Sequence, residues 1–266
     1  MKISIIGSGN IGWHLGLALE NHHHQIYEVF SRQKSKASNL ASMLYQATVK
    51  TDLDFSESDA ELFILAVSDD AMSEVCQQII LPENAILAHT SGSKSLEDLQ
   101  KLMLVHHDLP VKCGVFYPLM TFSIGKKLDL KTVPFCIEAS DEETEQKLVD
   151  IAQELSNTVY LISSDERKVL HVAAVFACNF TNHLLALAKE ITDSEDLEFD
   201  LLKPIIRETF KKALAVENPA DVQTGPAIRN DQTIINRHLD YLKEDENLVE
   251  IYEVMTESIQ HHQQSF

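Results

Sequence analysis

The sequence predicts an α/β domain built on a doubly wound parallel sheet, followed by an all-α domain. Over residues 1–163, short apolar runs alternate with longer stretches of helical periodicity, the pattern of successive strand–helix–strand units. From residue 164 onward, apolar residues recur at helical spacing and no strand candidate appears. We therefore predict two domains, one at 1–163 and an all-helical one at 164–266.

The predicted strands are short runs rich in apolar residues. The run at 62–67, Leu-Phe-Ile-Leu-Ala-Val, is continuous, as expected of a parallel strand that is buried on both faces. The predicted strands are residues 2–6, 25–30, 62–67, 85–89, 112–116, 133–137 and 158–162.

Helices fit between and after these strands. The helix predicted at 142–156 follows Ser140-Asp141 and carries acidic residues in its first turn, which the positive end of the helix dipole favours. The other helices of the first domain are predicted at 11–21, 36–44, 71–80 and 96–104. Those of the second domain are predicted at 165–190, at 197–216 with a kink at Pro204, at 232–242 and at 248–260.

Charge and composition exclude several classes of partner. The formal net charge of −19 argues against nucleic-acid and acidic-membrane partners, because both need a positive protein face. No run approaches the ~20 uninterrupted apolar residues of a membrane helix. Residues 1–6 lead into a glycine turn rather than into the apolar core of a secretory signal, so we expect a cytoplasmic protein.

The cysteines and histidines do not predict a metal site. Cys76, Cys113, Cys136 and Cys178 have neither zinc-ligand spacing nor the spacing of a redox pair, which predicts reduced thiols. Histidines cluster at 22–24, 106–107 and 261–262, in polar segments without partners at ligand spacing. We therefore predict no metal.

A glycine-rich loop predicts a dinucleotide site. It follows the first strand and opens an amphipathic helix, and this context makes the short pattern specific. Gly7 allows a tight turn, Gly9 lets a pyrophosphate approach the backbone, and Gly12 lets the helix pack against the strand. The helix N-terminus offers free N–H groups to the phosphates. The predicted contact loop is Gly7-Ser8-Gly9-Asn10-Ile11-Gly12.

The end of the second strand favours NADP over NAD. An NAD enzyme usually carries an acid there, whereas this chain has Ser31 and Arg32, followed by Lys36. No acidic residue occurs between Glu28 and Asp52. Hydroxyl and guanidinium groups suit a 2′-phosphate, although a solvated basic turn is the alternative interpretation.

Two further strand ends carry polar residues where ligands of such sheets bind. Small residues at Ala66, Val67 and Ser68 allow the backbone to approach the cofactor. The alternative role of this segment is helix capping by Ser68, Asp69 or Asp70. His89 is followed by Thr-Ser-Gly-Ser at 90–93. Its imidazole is a candidate to bind or protonate a carbonyl oxygen, and a polar turn is the alternative.

The N-terminal domain resembles the family that contains pyrroline-5-carboxylate reductases and deazaflavin-dependent NADP reductases, through the glycine loop, Ser31-Arg32 and the run at 65–69. The whole chain resembles a narrower family of candidate NADP oxidoreductases that join a Rossmann-like domain to an uncharacterised helical domain. Its marks are His89-Thr90-Ser91-Gly92, Tyr117-Pro118-Leu119-Met120-Thr121-Phe122, the stretch from His171 to Asn179, and Thr224-Gly225-Pro226-Ala227-Ile228-Arg229-Asn230-Asp231.

This resemblance implies the fold, an NADP cofactor and a homodimer joined through the C-terminal helices, but no substrate. One position departs from the family, which carries a histidine before the proline where this chain has Tyr117. If that histidine is the family's acid, Tyr117 can still donate a proton, although less readily near neutral pH.

The resemblance also implies that a long helix after the first domain lends polar groups to the active site. At 100° per residue, Cys178 and Asn182 each fall within about 20° of His171, and Asn179 lies about 80° away. The alternative is that His171 and Asn179 are core residues with hydrogen-bond partners, or surface residues. Arg229 is a candidate clamp for a substrate carboxylate, or the structural partner of Asp231.

The sequence thus predicts an NADP-dependent oxidoreductase that transfers hydride between NADP(H) and a small carbonyl or imine substrate held between the domains. The candidate proton donors are His89, Tyr117 and His171, while Asn179 and Arg229 orient the substrate. A reduced deazaflavin as second substrate is a variant of this hypothesis. The alternative from another class is a dinucleotide-binding sensor without turnover.

Overall fold

A single eight-stranded sheet organises the first part of the chain. The computed structural model describes residues 1–106 and 110–264. The strand order is β3-β2-β1-β4-β5-β6-β7-β8, which confirms the predicted Rossmann-like fold class. The strands are β1 Lys2–Ile6, β2 Gln25–Phe30, β3 Thr48–Lys50, β4 Leu62–Leu65, β5 Ile86–His89, β6 Lys112–Pro118, β7 Phe135–Ala139 and β8 Val159–Leu161.

Two features of the sheet differ from the sequence prediction. The three-residue edge strand β3 is too short to show an apolar alternation and was missed. Strand β7 runs antiparallel to β6, with Tyr117 opposite Cys136. A parallel neighbour requires a crossover connection, usually a helix. Residues 119–134 contain only the 3₁₀ turn Leu130–Thr132, and the chain returns along β6 in the opposite direction.

Ten α-helices are described, and they occupy nearly all of the predicted positions. Pro204 is a correction: it lies in the first turn of its helix, where its missing N–H costs nothing, so it starts the helix rather than kinking it. The helices are α1 Asn10–Asn21, α2 Lys34–Ala41, α3 Asp69–Gln78, α4 Leu96–His106, α5 Glu142–Leu155, α6 Ser164–Ala174, α7 Thr181–Asp193, α8 Lys203–Leu214, α9 Gln232–Leu242 and α10 Glu246–Gln264.

Apolar side chains cover both faces of the sheet. On one face Ile5 and Ile64 pack in the same buried cluster as Leu15 of α1. On the other face Leu65 packs in a second cluster with Met72 of α3. Burying each such side chain contributes roughly 1.5–3 kcal/mol relative to exposure. These two layers hold the strand ends, and therefore the loops that follow them, in fixed positions.

The chain divides into two compact units, residues 1–175 and 176–266. The sequence placed the domain boundary at 163/164, where α6 begins. The first turns of α6 nevertheless belong to the first unit, because Arg167 is fully buried and bonded to Glu138 of β7. Helix α6, a π-helical turn at Val175–Phe180 and α7 follow one another without a break, so the first unit ends inside a continuous helix.

This continuous helix, Ser164–Asp193, is long and apolar enough to cross a membrane, by length and composition only. It has 30 residues, and an 18-residue window has a mean hydropathy of 1.4. Its middle also carries His171, Asn179, Asn182 and His183. Polar groups such as these are costly in hydrocarbon unless they find partners. The composition therefore favours a protein surface as the cover of this helix.

The second unit leaves much of its apolar surface exposed. Among its described residues, only Leu187, Ala227 and Ile235 are buried apolar side chains. Apolar side chains that are at least half exposed include Phe176, Phe180, Leu197, Leu201, Ile205 and Leu214. Uncovered apolar area on this scale marks an interaction surface.

We expect a homodimer joined through the second unit, because a second copy supplies a matching apolar surface. Light scattering at ~10 µM should give twice the chain mass of 30.0 kDa. The double substitution Phe176→Ser with Phe180→Ser should shift the protein toward the monomer. Tyr45→Ser, which removes an exposed aromatic side chain from the first unit, is the matched control. A native monomer, or a protein that requires detergent to stay dispersed, contradicts this prediction.

Candidate functional site

The glycine loop between β1 and α1 is fixed by a close backbone contact. Gly7 has a φ of 106°, in the region that favours glycine, and its N–H donates to the carbonyl of Phe30 at 2.8 Å. A Cβ on Gly7 would lie 2.3 Å from the carbonyl oxygen of Ala66. The turn that carries the loop from β1 toward α1 therefore excludes any side chain at this position.

Gly9 and Gly12 play different parts in this loop. A Cβ on Gly12 would lie 1.9 Å from the carbonyl oxygen of Gly7, so Gly12 is required for α1 to pack where it does. A Cβ on Gly9 would meet nothing within 4 Å. Helix α1 begins at Asn10, and no side chain caps its N-terminus. Open space at Gly9 beside an uncapped helix N-terminus fits a pyrophosphate group.

The side chains of the glycine loop are less available for ligand binding than its backbone. The Oγ of Ser8 is buried without a hydrogen-bond partner in the described part of the chain. The Oδ1 of Asn10 accepts from the N–H of Ile124 at 3.3 Å, and the Nε2 of His14 lies 3.0 Å from the carbonyl of Ser123. The segment that follows Tyr117 thus runs against α1, and the side-chain oxygen of Asn10 is engaged by this segment.

A cavity of about 320 Å³ opens at the carboxyl ends of β1, β2 and β4. It joins most of the predicted cofactor residues, although Asn10, Ile11 and Gly12 do not line it. Its lining comprises Gly7, Ser8, Gly9, Phe30, Ser31, Arg32, Gln33, Lys36, Leu53, Ala66, Val67, Ser68, Ala71, Glu74, Val75 and Gln78.

The chemistry of the lining changes across this cavity. Arg32 and Lys36 contribute two positive charges, and Glu74 of α3 contributes one negative charge. Leu53 and Val75 supply an apolar surface on which a flat base can lie. The sequence pattern did not find the residues from α3, because they lie outside the loops that follow the strands.

Ser68 stands at the N-cap position of α3 in an extended conformation, but its side chain makes no capping hydrogen bond. Capping is thus not what occupies its hydroxyl. The neighbouring Asp69 carboxylate instead accepts from the hydroxyl of Ser93, which ties the loop after β4 to the loop after β5.

His89 lies at the end of β5 and is fully buried. Its Nδ1 accepts from the N–H of Ser91 at 3.1 Å, which places the proton of the neutral ring on Nε2. Burial and the neighbouring positive charge of Arg167 lower the pKa of His89 to about 3, against smaller opposing effects of Asp69 and the Ser95 backbone. His89 is therefore neutral near pH 7 and does not fit the predicted part of proton donor. Its bond to Ser91 holds the loop after β5.

Tyr117 and His171 form a pair beside this loop. The Oη of Tyr117 lies 3.3 Å from the Nδ1 of His171, and the tautomer of the ring decides which atom donates. The two rings meet edge to face, with centroids 6.3 Å apart. A Cβ on Gly92 would lie 2.6 Å from that Nδ1 and 2.9 Å from the Cζ of Tyr117, so this glycine makes room for the pair. Burial is the main cause that raises the pKa of Tyr117.

The other two predicted catalytic residues, Asn179 and Arg229, belong to the second unit, and both are exposed. The carboxylate of Asp231 caps α9 by accepting from the N–H of Ile234. Arg229 makes no ion pair with it in the described part of the chain. The roles of Asn179 and Arg229 in a site stay predictions.

The predicted polar stripe on the long helix rested on a wrong premise. Residues Val175–Phe180 form a π-helical turn, and the hydroxyl of Thr181 donates to the carbonyl of Phe176, five residues earlier. A π-helical turn holds more residues than an α-helical turn, so a uniform 100° step does not hold between His171 and Asn182. The alignment of His171 with Cys178 therefore does not follow. Such turns occur frequently at functional sites.

No group of three metal-ligating side chains is found among residues 1–106 and 110–264. Cys76, Cys113 and Cys136 are free and buried, and Cys178 is free and exposed. Of the predicted histidine clusters, His107 lies outside the described residues.

Comparison with known proteins supports the two-part organisation. Residues 1–108 match a family described as a Rossmann-like domain, and residues 133–259 match the domain of unknown function DUF2520. No curated protein matches the chain.

Several solved structures are similar over nearly their whole length. A protein of Bacteroides fragilis named as a candidate NADP oxidoreductase is 40% identical, with a TM-score of 0.88 and 98% of each chain covered. An imine reductase from Myxococcus stipitatus in complex with NADP+ is 15% identical, with a TM-score of 0.66. The match covers 100% of this chain and 95% of the reductase. A 1-pyrroline-5-carboxylate reductase from Streptococcus pyogenes is 12% identical, with a TM-score of 0.61 and 98% of each chain covered. The last two likenesses show the fold.

The depressed pKa of His89 predicts a pH dependence of stability. Between pH ~6.5 and about 3, the unfolded chain binds a proton at this histidine and the folded chain does not. The free energy of unfolding should therefore fall as the pH drops through this window, by at most ~1.4 kcal/mol per pH unit for one proton. His89→Gln should have a shallower slope in urea unfolding between pH 7.5 and 4.5. His22→Gln is the control, and equal slopes in His89→Gln and the native protein contradict the prediction.

Proposed function

Because this chain belongs to the family that joins a Rossmann-like domain to a DUF2520 domain, we propose that it is an NADP-dependent oxidoreductase. Family membership follows from the 40% identity over 98% of both chains, and it confirms the resemblance drawn from the sequence motifs. The proposed reaction transfers hydride between NADP(H) and a small carbonyl or imine substrate.

One observation carries this proposal: a single cavity joins the glycine loop to Ser31, Arg32 and Lys36. The open space at Gly9 suits the pyrophosphate, and Arg32 with Ser31 suits a 2′-phosphate. A carboxylate at this strand end would repel that phosphate, and β2 is followed by none. Names of similar proteins support the same cofactor, including a reductive aminase from Aspergillus terreus in complex with NADPH.

The order of the strands supports a cofactor that runs along the carboxyl edge of the sheet, from β2 toward β6. The adenosine end fits beside Arg32 after β2, and the phosphates fit at Gly9 after β1. The nicotinamide end then points toward β4, β5 and β6, since ligands of such sheets follow the carboxyl edge. Tyr117 stands near the end of β6 along that edge, and His171 of α6 lies beside it.

When bound, NADPH supplies the hydride, so the protein must supply a proton and the geometry. We assign the proton donor to Tyr117, because its hydroxyl carries a proton at neutral pH and lies beside the imidazole of His171. His171 at 3.3 Å is placed to return a proton to Tyr117. His89, which is neutral and buried, holds the Ser91–Gly92 loop beside the pair. Asn179 and Arg229 orienting the substrate stays a prediction.

The proposal includes the oligomeric state and the cellular location of the protein. Free cysteines among the described residues suit the reducing cytoplasm, and the exposed apolar side chains of the second unit suit a homodimer. A deazaflavin coenzyme as the second substrate remains a variant of the proposal.

The nucleotide pocket predicts a cofactor preference. NADPH should bind at least ~10-fold more tightly than NADH, because one charge-assisted contact contributes about 1.5–3 kcal/mol. Arg32→Ala should remove most of this difference and leave the NADH affinity nearly unchanged. Lys34→Ala is the matched control, since Lys34 is also basic and exposed but does not line the cavity. Calorimetry that finds equal affinities in the native protein would refute the NADP assignment.

The Tyr117–His171 pair predicts how turnover depends on Tyr117. Oxidation of NADPH should be measured with cyclic imines, keto acids and aldehydes. Tyr117→Phe should lower kcat ~10²-fold, the usual scale of general acid catalysis, with the Kd for NADPH unchanged. Tyr160→Phe, which removes the hydroxyl of an exposed tyrosine on β8, is the control.

The same assay separates the enzyme from the alternative of a dinucleotide-binding sensor. Tight NADPH binding with no turnover of any of these substrates favours the sensor. Full activity in Tyr117→Phe leaves the oxidoreductase in place and removes Tyr117 as its acid.

A further inference from the structure

Arg167 is a buried cation in an unfavourable place. Its side chain is fully buried, which is rare for arginine. It stands near the N-terminus of α6, where the helix dipole disfavours positive charge. The helix already has a complete capping box formed by Ser163 and Glu166. The stability of α6 therefore does not explain an arginine at this position.

The guanidinium joins three elements of the first unit. Its Nη1 donates to the Oε2 of Glu138 on β7 at 2.6 Å, and its Nη2 donates to the carbonyl of Lys94 at 2.6 Å. The hydroxyl of Ser164 completes the network: it donates to Glu138 at 2.7 Å and accepts from the N–H of Leu96 at 2.9 Å. Helix α6, strand β7 and the loop between β5 and α4 are thus held together at one point.

These three elements are the ones that surround the Tyr117–His171 pair. His171 lies four residues after Arg167, on the same side of α6. Lys94 lies two residues after Gly92, whose Cα the pair packs against. Glu138 lies two residues from Cys136, the β7 partner of Tyr117 in the sheet. A shift of the guanidinium would therefore move α6, which carries His171, and also the Gly92 loop and β7, which lie beside Tyr117.

We propose that Arg167, through its bonds to Glu138 and Lys94, is the positioning residue that sets the distance between Tyr117 and His171. Arg167 does not itself touch the substrate. This inference rests on the proposed function for its effect on turnover, but the geometry of the pair can be measured without turnover. The positive charge also lowers the pKa of Tyr117 against the effect of burial, so the network influences the acid as well as its position.

A structural role and a positioning role make different predictions for a paired replacement. Replacing a buried ion pair by apolar residues of similar volume is often neutral for stability, whereas removing one partner leaves an uncompensated charge. The double variant Arg167→Met with Glu138→Leu therefore removes the bonds of Arg167 to Glu138 and Lys94, and we expect it to keep the fold. Lys168→Met, at the exposed next position of α6, is the matched control.

The test has two readouts on these variants. The first is the ¹⁵N resonances of His171, which report its hydrogen bond to Tyr117 whether or not a substrate is known. The second is kcat and KM for NADPH-dependent turnover, with the pH profile of kcat. In the double variant we expect shifted His171 resonances, at least ~10-fold lower kcat, a shifted pH profile and a nearly unchanged KM. The midpoint of thermal unfolding and the Kd for NADPH should stay close to the native values.

Native His171 resonances and native kcat in the double variant would overturn the inference. If the double variant fails to fold, Arg167→Lys decides, because lysine keeps the charge but cannot bond both Glu138 and Lys94 in the arginine geometry. Shifted His171 resonances in folded Arg167→Lys support positioning, and native resonances overturn it. A native protein that binds NADPH without turnover refutes the proposed function alone, since the resonances still report on the pair.

Discussion

The shared direction of β1, β2, β4, β5 and β6 is the constraint on which the candidate site depends. Parallel strands bring their carboxyl ends to one edge of the sheet, so loops far apart in sequence become neighbours. The close packing of Gly12 on Gly7 then fixes where α1 begins relative to that edge. Both the cavity beside the glycine loop and the Tyr117–His171 pair follow from this arrangement.

The polar groups buried near this edge set its chemistry. His89, Arg167 and Ser8 are polar groups that an apolar core accepts only at a cost. The charge of Arg167 is matched by Glu138, and the same charge helps to keep His89 neutral. Burial and this charge keep the imidazole of His89 neutral, although histidine is the residue type that most often donates protons near pH 7. The proton-donor role proposed for Tyr117 therefore follows from the surroundings of His89 as well as from the position of Tyr117.

The second unit differs from the first in how little of its apolar surface is buried. Its helices form at the predicted positions, yet most of their large apolar side chains are not buried within the chain. Among the described residues of this unit, three buried apolar side chains form a small core for its size. The amphipathic pattern of these helices thus leaves a large apolar surface, which is the basis of the homodimer prediction.

The sequence by itself determined the features that local chemistry encodes. Apolar runs and helical periodicity predicted the sheet and the helices, and the glycine loop predicted the tight turn at which α1 begins. The dinucleotide site at that loop and the preference for NADP inferred from Ser31 and Arg32 stay proposals. Tertiary structure decided what depends on residues far apart along the chain. The reversal of β7, the pairing of Tyr117 with His171 and the burial of Arg167 against Glu138 bring together side chains 17 to 54 residues apart. The π-helical turn was also missed, because its residues are those of an ordinary apolar helix. Periodicity and short motifs are local signals, whereas these features arise from the packing of whole elements.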